Sequence, residues 1–220
     1  MQGDRFQLET PKGPVSAAWH DAGGRRTPAM VVAHGAGAGM DHPFMSGFAE
    51  ALAAEGVSAL RFNFPYLEAG RKSPGSPIDA IAAIRAAVDE AGRRTAGPVV
   101  AGGKSYGGRM ASMASAEGMP CAALVFLGYP LHAPGTPDKV RDEHLYGLTQ
   151  PMLFLHGTKD PFARPDVLQR VLDRLGDRAT DVAFEDAGHS FERSRKDPPA
   201  EVGAALAPTV AGFVRALPLT

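Results

Sequence analysis

Short apolar runs alternate along the chain with segments in which apolar residues return at helical spacing. Runs such as 29–33, 99–101 and 151–155 lack the polar alternation of a half-solvated strand, so they predict strands buried on both faces. Residues 59–64, 121–127 and 180–185 supply further strands, and two more are expected near 6–8 and 15–19. Between them, Phe44, Phe48 and Leu52 predict a helix; so do Ile78, Ile81, Ile84 and Val88, and the set Val167, Leu168, Val171, Leu172 and Leu175. Strand–helix alternation of this kind predicts an α/β architecture with a mainly parallel, doubly wound sheet flanked by helices. The stretch 202–219 is almost wholly apolar and approaches membrane-spanning length. Gly203, Pro208, Gly212 and Arg215 argue against a span. Val202, Leu206, Val210, Phe213, Val214 and Leu217 instead form one stripe suited to packing on a sheet, with a kink expected at Pro208. The basic, Pro-containing segment 71–77 reads as a mobile loop.

Chemistry concentrates where one buried-strand pattern ends. Val99-Val100-Ala101-Gly102 runs into Gly103-Lys104-Ser105-Tyr106-Gly107 and then into a helical pattern. A Gly-x-Ser-x-Gly turn between strand and helix holds a serine on a tight corner, and the flanking glycines let strand and helix approach without Cβ clashes. Gly103-Lys104-Ser105 also matches the end of a phosphate-binding loop. That motif needs a glycine where Pro98 stands, and 98–101 reads as strand rather than as a loop that cradles phosphate, so nucleotide binding is set aside.

A serine hydroxyl is a poor nucleophile, so an imidazole must take its proton, and a carboxylate must orient the imidazole. On a sheet of this type the partners are expected later in the chain, in the order acid then histidine, in loops at strand ends. Asp160 lies just past the 151–155 strand, in His156-Gly157-Thr158-Lys159-Asp160-Pro161-Phe162, and His189 follows the 180–185 strand in Gly188-His189-Ser190-Phe191. Ser105 is therefore assigned as nucleophile, His189 as general base and Asp160 as the orienting acid. Asp186 is a poorer acid because it stands on the same turn as the histidine. For the oxyanion hole, the residue after the nucleophile, Tyr106, offers one backbone N–H. The loop His34-Gly35-Ala36-Gly37-Ala38-Gly39 offers the second, with Ala36 the first choice and Gly37 the second. His34 itself reads as a hydrogen-bonder of that loop. Lys104, Lys159, Arg71 and Lys72 are expected at the same edge of the sheet and are read as solvated surface charge rather than substrate contacts. Arg109, Arg141 and His144 could be structural or line a pocket, and the sequence does not separate these roles.

With these residues in hand a resemblance can be stated. His34-Gly35-Ala36-Gly37 with Pro43-Phe44, Arg61-Phe62-Asn63-Phe64-Pro65-Tyr66, the elbow through Arg109, Gly128-Tyr129-Pro130-Leu131-His132, Arg141-Asp142-Glu143-His144-Leu145, Gly157-Thr158-Lys159-Asp160-Pro161-Phe162 and His189-Ser190-Phe191 together resemble a family of small α/β hydrolases. That family includes bacterial predicted hydrolases, a testis-expressed vertebrate protein and the hydrolase-like domain of the third subunit of the non-specific-lethal histone acetyltransferase complex. More distantly the chain is similar to dienelactone hydrolases, which carry cysteine where Ser105 stands. The resemblance implies an α/β-hydrolase fold and supports the positions of the triad, but implies no particular substrate and permits a non-catalytic role. It also implies that a lid, where present, enters after the sixth strand. Only 131–150 lies there, so no large lid domain is expected.

Composition narrows the picture. A chain of 220 residues with 44% hydrophobic residues can bury a substantial core as one domain, 1–220. A formal net charge of −1 with interspersed signs suggests neither nucleic acid nor an anionic membrane as partner. Met1-Gln2-Gly3-Asp4-Arg5 has no signal-peptide core, and the single cysteine, Cys121, is read as core filler opening a strand, which fits a cytoplasmic location. No cluster has metal-ligand spacing, so neither metal nor cofactor is expected. The expected activity is a serine hydrolase acting on a small-molecule acyl substrate, an ester or thioester of modest size; a homodimer is left open. The competing reading is a binding or scaffold protein that retains the fold.

Overall fold

The computed structural model describes residues 3–217; Met1 and Gln2, and the Leu219 end of the C-terminal apolar run, lie outside the described residues. Eight strands form one sheet in the order β1-β2-β4-β3-β5-β6-β7-β8. They are β1 (Asp4–Leu8), β2 (Val15–His20), β3 (Ala29–Ala33), β4 (Ser58–Phe62), β5 (Val99–Lys104), β6 (Leu124–Leu127), β7 (Met152–Gly157) and β8 (Ala179–Phe184). The β1–β2 and β2–β4 pairs are antiparallel, and the pairings from β4 across to β8 are parallel. Parallel neighbours need crossover connections, and these supply the helices: α1 (Pro43–Ala54), α2 (Pro65–Glu68), α3 (Pro77–Arg94), α4 (Tyr106–Ala116), α5 (Pro165–Leu175), α6 (Pro199–Ala204) and α7 (Ala207–Arg215).

The unbroken apolar runs of the inner strands follow from helices covering both faces. Along β3, Val31 and Ala33 enter one core with residues of α3, α4 and α5, while Met30 and Val32 enter the other with α1 and α7. Along β7, Met152 and Phe154 join the first core, Leu153 and Leu155 the second. Register then decides where chemistry can gather. Ala33 pairs with Gly103, Lys104 with Leu127, Leu127 with Leu155, and Gly157 with Phe184. The loops that follow β3, β5, β7 and β8 therefore leave the sheet at one edge.

The structure differs from the sequence reading in several places, each for a physical reason. The fourth strand ends at Phe62, because the Phe64 N–H goes to His34 Nε2 instead of a neighbouring strand and Pro65 then opens α2. Ile78 is 74% exposed. At 3.6 residues per turn it stands roughly 90° around α3 from the mean direction of Ile81, Ile84 and Val88. The sixth strand starts at Leu124, and Cys121 stands ahead of it, half-buried with Sγ 3.8 Å from Ser115 Oγ. The C-terminal stripe is not one kinked helix: α6 ends before Pro208, which sits in the first turn of α7, where its missing N–H costs nothing. Leu206, Val210, Val214 and Leu217 still pack on the sheet as the stripe requires. No helix among the described residues is long and apolar enough to cross a membrane.

The connection between β6 and β7 forms no large lid. Its only helical piece is the 3-10 turn Glu143–Gly147. Tyr129, Leu131, Leu145 and Leu148 along it are buried in the first core, so the segment is laid onto the body of the protein. The bonds from His132 N–H to the Phe162 carbonyl and from Arg164 N–H to His132 Nε2 pin it there, and the bond from Arg141 N–H to the Leu131 carbonyl closes it on itself.

Candidate active site

The elbow is built as its glycines demand. Gly103 has φ +149°, and a Cβ there would lie 2.1 Å from the Ala33 carbonyl oxygen; at Gly107 it would lie 2.3 Å from the same oxygen. No side chain fits at either position without moving β3. Between them Ser105 has φ 50° and ψ −114°, a conformation L residues rarely hold. Its N–H is tied to the Leu127 carbonyl at 3.0 Å, so β6 fixes the corner.

His189 Nε2 lies 2.8 Å from Ser105 Oγ, and His189 Nδ1 lies 2.8 Å from Asp160 Oδ2. Asp160 is 4% exposed, and its other oxygen accepts the Phe162 N–H at 2.8 Å. A carboxylate can only accept at Nδ1, so Nδ1 carries the proton, and Nε2 is left with its lone pair toward the serine hydroxyl. The Phe162 ring packs on the imidazole at 4.2 Å, which limits its swing. The structure thus brings Ser105, Asp160 and His189 together. Asp186 is elsewhere: it turns outward at φ +60° and pairs with Lys159 at 2.7 Å.

The loop after β3 lies against the elbow, since a Cβ on Gly35 would stand 3.8 Å from Ser105 Cβ. Among the described residues, neither the Ala36 nor the Tyr106 N–H has a hydrogen-bond acceptor, whereas the Gly37 N–H is taken by Tyr66 Oη at 3.3 Å. His34 is fully buried and holds this loop: Nε2 accepts the Phe64 N–H at 3.1 Å, and Nδ1 donates to the Gly35 carbonyl at 2.8 Å. Burial pushes its pKa down to about 4, so the ring stays neutral as this bonding needs.

The cations divide. Lys159 is exposed and paired, and Arg71 and Lys72 are exposed on the segment before α3. Lys104 departs from the expectation of solvated surface charge. It is partly buried, and burial lowers its pKa to about 8. Arg109 Nε is buried without a hydrogen-bond partner among the described residues, as is Tyr106 Oη. His144 Nε2 lies 2.8 Å from Ser112 Oγ and so ties the β6–β7 connection to α4, while Tyr129 Oη, 3.3 Å from His144 Nε2, donates to the Arg141 carbonyl within the connection. Tyr66, Phe162 and Lys104 were in view in the sequence motifs, but their roles as loop support, imidazole contact and buried cation depend on long-range contacts that no spacing reveals. A small cleft beside Tyr106 is lined by Phe64, Tyr66, Arg71 and Asp79. A separate cavity of about 400 Å³, between Phe191 and α6, includes none of Ser105, Asp160 and His189. Among the described residues no group of three or more histidine, cysteine or carboxylate side chains could hold a metal ion.

Comparison with known proteins agrees with this architecture. A Coxiella burnetii α/β serine hydrolase homologue superposes with a TM-score of 0.75 at 16% identity, covering 96% of this chain and 98% of its own. A lidless member of the α/β serine hydrolases from Xanthomonas campestris gives 0.73 at 21% identity, with 99% and 98% covered. A dienelactone hydrolase from Anabaena variabilis gives 0.74 at 19%, with 99% and 100% covered. At these identities the likeness is one of fold. The alpha/beta hydrolase domain family matches residues 26–212, and the chain belongs to that family.

Proposed function

We propose that this protein is a serine hydrolase that cleaves carboxylic esters or thioesters of modest size through an acyl-Ser105 intermediate. The unbroken chain from Ser105 Oγ through His189 to the buried Asp160 carries this reading. Ser105 Oγ attacks the acyl carbon while His189 Nε2 takes its proton; the carbon–oxygen or carbon–sulfur bond to the leaving group breaks, and the leaving group takes that proton. Water then attacks the acyl carbon, giving its proton to His189, and Ser105 departs as the alcohol. Asp160 keeps the imidazole in the required tautomer and stabilises the imidazolium that forms in each half-reaction. The free Ala36 and Tyr106 N–H groups receive the developing oxyanion, a role that needs donors not already committed within the protein. The β6–β7 connection does not form a large lid, which favours soluble substrates.

Labelling with a fluorophosphonate probe, read by mass spectrometry, tests the assignment. The expected result is one adduct, on Ser105, with parallel loss of esterase activity. A folded protein that is neither labelled nor active on aryl esters and acyl thioesters would overturn it and leave a binding scaffold as the better reading.

A further inference from the structure

Lys104 occupies the position just before the nucleophile, and the mechanism above does not use it. Its Nζ donates to the His189 main-chain carbonyl at 3.4 Å and lies 5.5 Å from the centroid of the Phe44 ring on α1. No other donor reaches that carbonyl among the described residues. The loop that carries His189 is not relaxed: Asp186 and Phe191 both hold positive φ, at 60° and 65°. Such conformations persist only where surrounding contacts over-determine them. The Gly188 N–H to Glu192 carbonyl bond and the stacking of Phe191 on Phe44 fix one side of the loop. Lys104 fixes the other side, at the residue that does the chemistry.

Resting on the serine-hydrolase reading, we infer that Lys104 is a positioning residue that clamps His189 to the elbow and to α1, holding Nε2 in line with Ser105 Oγ. The clamp has two parts, a hydrogen bond to the His189 carbonyl and a cation–π contact with Phe44, and both are strongest while the side chain is an ammonium. The groups that face it are Asp160 from the loop after β7, Glu192 from the histidine loop, and His42 at the start of α1. The two carboxylates hold the proton on Lys104, and burial works against them with the larger effect, bringing its pKa down to about 8. Below that pH the clamp is charged. Above it the neutral amine is a weaker donor and loses the ring contact, so the histidine loop loosens in a range where enzymes are commonly assayed.

The test compares wild type, Lys104→Met and Lys104→Arg in kcat and KM for a soluble aryl ester across pH 5.5 to 10, alongside fluorophosphonate labelling rates. Methionine keeps the apolar stem without charge or donor, and arginine keeps both at every pH in the range. Wild-type kcat should fall as pH rises through about 8. Lys104→Met should lose about 10- to 100-fold in kcat at pH 7 with KM changed by less than about threefold, and should show no fall near pH 8. Lys104→Arg should recover kcat to within about fivefold of wild type and stay flat past pH 9. If Lys104→Met does not fold, the arginine variant decides, and a fall near pH 8 retained in Lys104→Arg overturns the inference. Lys104→Met with wild-type kcat overturns it as well. Wild type labelled and active while the methionine variant is labelled at the same rate refutes the clamp alone, whereas an unlabelled, inactive wild type refutes the serine-hydrolase reading and the clamp with it.

Discussion

Replacing Ser105 should remove activity and, with the right replacement, leave the protein no less stable. Ser105 sits at φ 50°, ψ −114°, a conformation that costs a side-chain-bearing residue about 1–3 kcal/mol. Ser105→Ala keeps that cost and gives up the 2.8 Å bond to His189 Nε2, worth about 0.5–1.5 kcal/mol net. Ser105→Gly gives up the same bond but releases the backbone, at the expense of about 0.5–1 kcal/mol of extra freedom in the unfolded chain. The glycine variant should therefore be about 0–2.5 kcal/mol more stable than the alanine variant and close to wild type. For a chain of 220 residues that difference is up to about 10 °C in Tm. Both variants should lose about a million-fold in kcat, since the members of a triad act as a unit. Urea and thermal unfolding of the three proteins, with esterase assays on the same preparations, measure both effects. A glycine variant less stable than the alanine variant would refute the claim of strain at the elbow. Wild-type-like turnover by either folded variant would refute Ser105 as nucleophile.

Other outcomes follow from the same geometry. Asp160→Asn should fold yet lose about four decades of kcat/KM, because an amide at Asp160 favours the wrong imidazole tautomer; near-normal kinetics there, with severe loss in Asp186→Asn, would move the acid to Asp186. Burial also holds His34 and His20 near a pKa of about 4, so each binds fewer protons in the folded than in the unfolded chain between pH 4 and 6.5. Stability should accordingly fall as pH drops from 6.5 to 4, by up to about 3 kcal/mol for His34, and urea midpoints flat across that window would contradict it. With Tyr129, Leu131 and Leu145 of the β6–β7 connection buried in the core, activity should follow simple saturation on soluble short-chain aryl esters. An optimum at palmitoyl esters, or a jump at an oil–water interface, would show that this connection or the 71–77 loop covers the site after all.

What the sequence determined by itself was whatever local chemistry forces. Inner strands read as continuous apolar runs because both faces of a parallel sheet are covered, and β3 was legible at both ends for that reason. The elbow was legible because only glycine fits where Gly103 and Gly107 meet the Ala33 carbonyl. The order of Ser105, Asp160 and His189 was legible because each follows a strand that had to end at the same edge. Tertiary structure decided the rest. How the acid that chain position favours reaches the imidazole is a matter of register between β7 and β8, with Asp160 turned in and Asp186 turned out to Lys159. Ile78 and Leu206 are both apolar, yet one faces solvent and the other the core, because helix direction and packing are set by the whole fold. Polar residues show the same limit more sharply. Arg61 is 2% exposed, paired with His20, Ser46 and the Met40 carbonyl, and Lys104 is drawn beneath the histidine loop. A charged side chain announces itself in sequence as surface, since burying it costs more than any local pattern returns. Only the partners gathered from distant segments make such burial tolerable, and those partners exist only once the chain has folded.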